Sequence, residues 1–261
     1  MNLSLIIMKR IYSVLLYFML SLVTFNAEGA ATFANETLKY VVTYKWGLIH
    51  KDAGDATFTL RRAGDHYNLR LVGTTRKWAD KIYRMRDTLH SSIRVTDLKP
   101  TSYIKKMHEG KRNDIDIISF SHNGNSTTGK VTLHRTKQGQ PVVKEKTLTA
   151  SGPVYDFLSI FYYLRKLDYS QLNQFKSYTA TTFSGSKKET VKIRSLGKEK
   201  IRLRDKTERE AYHIKINFTQ HGGKKSSDDI DAWISTDSRH IPLYLVGRLP
   251  VGEIRVYLTA S

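Results

Sequence analysis

Cysteine is absent from the 261 residues. That excludes disulfides, thiol nucleophiles, cysteine-based metal sites and a lipoprotein anchor, since Ala30-Ala31 stands where a lipidated cysteine would be. Exported proteins need disulfide staples mainly when they are small. A chain of roughly 230 residues beyond position 30 can bury an adequate core without them. Long apolar runs are scarce as well. The one present covers residues 11–25, broken by Ser13, Ser21 and Thr24; at about fifteen residues it is short of the ~20 that a spanning helix needs. Acidic residues are in deficit, 24 Asp and Glu against 43 Lys and Arg, for a formal net charge of +19.

The short apolar run has informative flanks. Met8-Lys9-Arg10 precedes it and Ala27-Glu28-Gly29-Ala30-Ala31 follows. A positive start, an apolar middle and small residues at the end predict a secretory signal peptide over residues 1–30, cleaved near Gly29 to Ala31. Residues 1–7 carry no positive charge, so both Met1 and Met8 remain open as the start. Cleavage leaves residues 31–261 as one β-rich domain, periplasmic or secreted, with no integral membrane span. In an exported protein the basic charge points away from nucleic acid and toward lipid headgroups, glycans or anionic envelope polymers. Lys39, Lys45, Arg61, Arg70, Lys105, Lys130 and Lys192 spread that charge along the chain, as a solvated β face also would.

Period-two alternation recurs beyond Leu38. Tyr40, Val42, Tyr44 and Trp46 alternate with Lys39, Val41, Thr43 and Lys45; Ala56, Phe58, Leu60 and Tyr67, Leu69, Leu71 repeat the pattern, as do Ile214, Ile216 and Phe218. Such runs predict strands with one buried face. The breaks carry turn chemistry: Lys51-Asp52-Ala53-Gly54, Ala63-Gly64-Asp65, Asn123-Gly124-Asn125, Gln138-Gly139-Gln140, His221-Gly222-Gly223 and Thr236-Asp237-Ser238. Many short strands with regular turns predict an all-β, mainly antiparallel fold, a curled sheet or barrel-like single domain. One segment differs. Phe157, Leu158, Phe161 and Leu164 follow helical spacing, after Ser151 as a cap and Pro153 in a first turn, which predicts one packed helix near 153–167. A weaker helical turn is expected at 78–82.

Catalytic signatures are missing. The nine histidines show no HxH, HxxxH or HExxH spacing, so no metal site or cofactor is expected. No GxSxG elbow occurs, and Ser184-Gly185-Ser186-Lys187 reads as a hairpin loop. Asp114 and Asp116 share one strand face, where paired carboxylates can serve as acid and base; with Lys111 and Arg112 beside them, they are read as surface residues. Asp228-Asp229-x-Asp231 lacks the glycine and later Glu of a calcium loop. Aromatics are better represented. Tyr44 and Trp46 on one strand face, with Trp78 and Tyr83 from another region, are the candidates for covering an amphiphile or stacking on a glycan, and Lys81 and Arg84 for holding an anionic headgroup. The same rings can equally fill the core of a curled sheet.

An ordered set of motifs spans nearly all of residues 31–261. Leu38-Lys39-Tyr40-Val41-Val42-Thr43-Tyr44-Lys45-Trp46-Gly47 is followed by Ala53-Gly54-Asp55-Ala56, Asp97-Leu98-Lys99-Pro100 and Tyr155-Asp156-Phe157-Leu158. Asp231-Ala232-Trp233-Ile234-Ser235-Thr236-Asp237, Pro242 and Gly252-Glu253 close the set. In this order they resemble the DUF3108 family of exported bacterial proteins. The resemblance implies an envelope protein and brings no catalytic residues with it. The expected function is a non-enzymatic envelope protein that binds an amphiphile or glycan. The alternatives are an assembly factor acting through edge strands or a basic surface and, more remotely, a polymer hydrolase.

Overall fold

The computed structural model describes residues 33–137, 139–169, 177–220 and 229–261. The predicted signal peptide, His221-Gly222-Gly223 and Asp228 lie outside the described residues. In chain order the first elements are β1 (Glu36–Trp46), β2 (Ile49–Ala63), β3 (His66–Thr75), α1 (Lys77–Asp80), β4 (Arg86–Arg94), β5 (Pro100–Glu109), β6 (Arg112–Asn123), β7 (Ser126–Lys137) and β8 (Gln140–Ser151). Then come β9 (Val154–Tyr155), α2 (Ser159–Leu164), β10 (Ser177–Ser184), β11 (Lys187–Arg202), β12 (Glu208–Gln220), β13 (Ile230–Ser235), β14 (Pro242–Arg248) and β15 (Glu253–Ala260).

All the strands belong to one sheet, in the order β8-β7-β6-β5-β4-β3-β2-β1-β15-β14-β13-β12-β11-β10-β9. Apart from the short parallel β9–β10 pair, every pairing is antiparallel. The first and last strands pair in mid-sheet, with Tyr44 opposite Ile254. The sheet curls into a nearly closed barrel whose seam falls between β8 and β9–β10. Side chains rather than a ladder close the seam. Phe183 of β10 lies against Gly129 of β7, where an added Cβ would come within 2.6 Å of its ring, and Phe183 stacks on Phe120 at 6.0 Å. Lys188 Nζ donates to Thr149 O at 3.3 Å, and Lys146 Nζ to Ser186 O at 3.0 Å. Successive strand residues point to opposite faces, yet Thr182 and Phe183 are both buried, so both faces of β10 are covered here.

The inner face follows the alternation predicted for β1, β2, β3 and β12: Leu38, Tyr40, Val42, Phe58, Leu60, Tyr67, Leu69, Ile214, Ile216 and Phe218 are buried. One break is corrected. Lys51-Asp52-Ala53-Gly54 is not a turn but part of β2, and the chain reverses at Gly47-Leu48 instead. Gly54 serves a close approach, since a Cβ there would stand 2.7 Å from Thr74 O of β3.

α2 falls inside the predicted helical segment and is shorter at its start. Val154 and Tyr155 pair with Thr181 and Thr182 as β9, which postpones the helix. Its start is held by Asp156 rather than by Ser151. The Asp156 carboxylate accepts from Leu158 N at 2.6 Å and Ser159 N at 3.0 Å, while Ser159 Oγ accepts from Asp156 N at 2.8 Å. This reciprocal arrangement satisfies donors that a helix start leaves open. The predicted stripe Phe157, Leu158, Phe161 and Leu164 is buried inside the sheet, with Phe161 stacked on Phe58 at 4.5 Å.

One buried ion pair ties α2 to the barrel. Both guanidinium nitrogens of Arg165 engage the Glu36 carboxylate, Nη2 at 3.2 Å from Oε2. Arg165 Nε donates to Arg239 O at 2.9 Å, and Tyr162 Oη donates to Glu36 Oε1 at 2.9 Å. Burial pulls the Arg165 pKa down, but Glu36 outweighs it and the net shift is upward. The outer wall carries a different device: His213, Trp233, Tyr244 and Tyr257 stack ring on ring across four strands at 4.4, 4.8 and 4.7 Å, the cross-strand pairing that steadies a sheet.

Candidate functional site

The inner wall is apolar around α2 and polar at the barrel end where α1 sits. Three neighbouring strands supply the polar groups. β4 presents Asp87, β5 presents Lys105 and Glu109, and β6 presents Asp114 and Asp116; all five are buried. Parity explains the set. Each shares its strand's inner face with apolar core residues: Leu89 on β4, Tyr103 on β5 and Ile118 on β6. The register sets Asp116 directly opposite Lys105, and Asp87 opposite Met107, one diagonal step from Lys105.

Most of these groups are paired. Asp114 is held by Arg112 and by Arg135, whose Nε is 3.3 Å away, and Arg135 also holds Asp116. Tyr83 Oη donates to Glu109 Oε2 at 2.7 Å. Two groups are left over. Asp87 Oδ1 accepts from His108 N at 2.9 Å, but Oδ2 is buried with no hydrogen-bond partner. Lys105 makes no ion pair or hydrogen bond among the described residues. Burial is the main cause of both of their shifts. It pushes the Asp87 carboxyl up to about 7, with Lys105 pulling the other way. It lowers the Lys105 amine against the upward pull of Asp87, Glu109 and Asp116. A buried carboxylate oxygen without a donor costs free energy, so this pair, unlike the paired acids around it, is not accounted for by packing alone; Thr182 Oγ1 on β10 is the other buried side-chain oxygen without a partner among the described residues. It offers one acceptor and one cationic donor to a polar group with both functions.

The reading of Asp114 and Asp116 as surface residues is overturned. In Asp114-Ile115-Asp116-Ile117-Ile118 either parity places apolar groups inside, and the observed one buries Ile118 with both aspartates. A one-residue choice of face decides the matter, and Arg135 on β7 supplies the charge that makes it tolerable.

Of the six ligand-binding candidates named from the sequence, only Tyr83 enters this cluster. Tyr44 is half-buried, its hydroxyl donating to Val251 O at 3.1 Å. Trp46 is exposed beside the β1–β2 turn. Trp78 donates through Nε1 to Asp52 O at 2.6 Å and lies under the Lys51 amine. Lys81 and Arg84 are exposed on the segment joining α1 to β4. All six belong to the same barrel end. The sequence reasoning missed Asp87 and Lys105, and their place inward of alternating core residues was the signal available.

Among the described residues no three metal-ligating side chains stand together, and no helix is long and apolar enough to cross a membrane. The model of the family described as "Protein of unknown function (DUF3108)" matches residues 39–259. The chain belongs to the DUF3108 family. No curated protein matches this DUF3108 chain. Among solved structures it is similar to a beta-barrel-like protein of domain of unknown function DUF1849 from Brucella abortus. The TM-score is 0.58 at 11% identity, over 88% of this chain and 97% of that one. At that identity the likeness concerns the fold, and it agrees with the barrel-shaped sheet described above.

Proposed function

We propose that this DUF3108 protein is exported to the cell envelope and works by binding rather than by catalysis. The inner wall at the α1 end takes the polar head of an amphiphile or a short glycan. The observation that carries this reading is the unpartnered, buried Asp87 Oδ2 beside a Lys105 amine that makes no hydrogen bond of its own. A hydroxyl-bearing head donates to Asp87 and accepts from Lys105, satisfying both at once. The neighbouring acids are committed to Arg112, Arg135 and Tyr83, which suits a rigid polar wall rather than groups that must exchange protons. The positive–apolar–small order of residues 8–31 supports export.

The assay is native mass spectrometry of protein purified gently from its own envelope, followed by solvent extraction. An adduct of lipid or glycan mass is expected. It should be lost from Asp87→Asn and Lys105→Met variants that still unfold in one cooperative transition. Recovery of bare polypeptide from the wild type, with no lipid or glycan retained on reconstitution, refutes the reading. An assembly factor acting through its sheet edge draws less support, because edge strand β8 carries Pro141, Lys144 and Lys146, residues that discourage edge pairing.

A further inference from the structure

Six large hydrophobic side chains stand exposed among the described residues, and four share one end of the barrel. Trp46, Leu48 and Ile49 are 53%, 105% and 45% exposed, and Ile82 is 55% exposed. The register pairs Trp46 with Ile49, so the two flank the Gly47-Leu48 turn at its tip. Ile82 follows α1, which lies against β2 through the Trp78–Asp52 hydrogen bond and the Lys51 amine 4.9 Å from the Trp78 ring centroid. A concentration of this kind at one tip, where the other two exposed hydrophobics, Val143 and Leu196, lie on separate strands, marks a contact site.

The charge around the tip is one-sided. Lys77, Lys81 and Arg84 are exposed and make no ion pair among the described residues. The nearby acids are already engaged: Asp52 by Arg76 and Arg204, Asp80 by Arg86, and Glu253 by Lys45 and Arg255. An apolar tip bordered by unopposed cations matches one surface in both respects. In an anionic bilayer, leucine and isoleucine enter the acyl boundary, tryptophan settles at headgroup level and cations meet phosphates. We infer that this end of the barrel docks on an anionic lipid bilayer by inserting residues 46–49. The inference does not depend on what the inner wall binds.

The test is flotation of protein, processed and purified from its own cells, with vesicles of phosphatidylglycerol and phosphatidylcholine or of phosphatidylcholine alone. Wild type should float with the anionic vesicles and bind the neutral ones at least about 10-fold more weakly. Leu48→Glu/Ile49→Glu alters only exposed side chains and should melt like wild type, yet weaken anionic binding by at least about 10-fold. The tryptophan emission should shift to the blue with anionic vesicles, and Trp46→Phe should abolish the shift. Failure of the wild type to float at physiological salt overturns the inference. So does flotation that survives Leu48→Glu/Ile49→Glu but is lost in Lys77→Glu/Lys81→Glu, which would be surface attraction without insertion. A stable complex with a soluble protein, lost in Leu48→Glu/Ile49→Glu and with no vesicle binding, would give the tip to a protein partner instead.

Discussion

Replacing Arg165 by Met tests the account of how α2 is anchored. The guanidinium is almost fully buried, and its ion-pair partner Glu36 has a side chain only 12% exposed. Removing the cation leaves the Glu36 carboxylate, among the described residues, with the Tyr162 Oη hydrogen bond and only the half-exposed Arg239 guanidinium at 3.9 Å to oppose its charge, and it strips Arg239 O of its donor. The guanidinium also lies 5.0 Å from both the Phe33 and Tyr162 ring centroids, so packing is lost with the charge. Breaking one side of a buried pair costs about 3–5 kcal/mol, because a charge is left uncompensated. Glu36→Leu should cost a similar amount by stranding Arg165. Removing both charges is a different matter, since desolvation offsets most of the attraction: Glu36→Leu/Arg165→Met should return to within about 2 kcal/mol of wild type. The expected coupling is then at least about 4 kcal/mol, above the range of about 0.5–3 kcal/mol usual for residues in contact. Equilibrium urea unfolding of the four proteins at pH 7 measures it, and 0.5 M salt should change the coupling little because the pair is buried. Additive single effects, or an Arg165→Met cost below about 1 kcal/mol, would show that the pair behaves as an exposed one and that apolar packing alone holds α2.

Three further outcomes are expected. Phe161→Ala should destabilise by about 3–5 kcal/mol in the same assay, as for other buried aromatics, whereas a loss below ~1 kcal/mol would mean that the helix contributes little to the core. Asp87 holds its proton to about pH 7 in the fold but ionises near 4 when unfolded, so the fold binds the extra proton and loses stability as pH rises through that window. Asp87→Asn has no proton to lose, and its stability relative to wild type should rise between pH 4.5 and 8 by about 3 kcal/mol; parallel curves would show that Asp87 titrates normally. N-terminal sequencing of exported protein should begin within a residue or two of Gly29 to Ala31, and a chain that still begins at Met1 or Met8 counts against export.

Where hydrophobic alternation was unbroken, the sequence was readable. Leu38, Tyr40 and Val42, like Ile214, Ile216 and Phe218, declare their inner face because the other parity would bury lysines or asparagine. Turn chemistry was legible where glycine sits at positive φ, as at Gly64 and Gly124, and misleading at Gly54, where glycine serves a close contact instead. The Thr236-Asp237-Ser238 turn was legible too: Asp237 Oδ1 accepts from Ser235 Oγ at 2.8 Å and from Arg239 N at 3.0 Å, closing the turn on itself. The candidate site was harder to see. Asp87, Lys105 and Asp116 are charged, and charge argues for solvent. Their burial depends on Arg135 and Arg112 meeting the nearby acids, a pairing across the sheet that linear spacing does not reveal. Trp46 and Trp78 suggested a lining, yet Trp46 ends the β1–β2 ladder exposed opposite Ile49, and Trp78, from α1, donates to Asp52 O.

The place of the seam bears on how this chain is made. Sequence neighbours form nearly every hairpin, so the sheet grows strand by strand, but β1 waits for β15. Until residues 253–260 arrive, β1 and β14 are two open edges, and the half-built wall is a template for sticking to other copies. The junction between the first and last strands is therefore a keystone, while the mid-chain seam, held by side chains such as Phe183, Lys146 and Lys188 rather than by a ladder, is the place where the wall can part. Such an order would suit the export proposed above, since the wall stays open until its last strand is released, and loss of β15 should give aggregates rather than a smaller barrel.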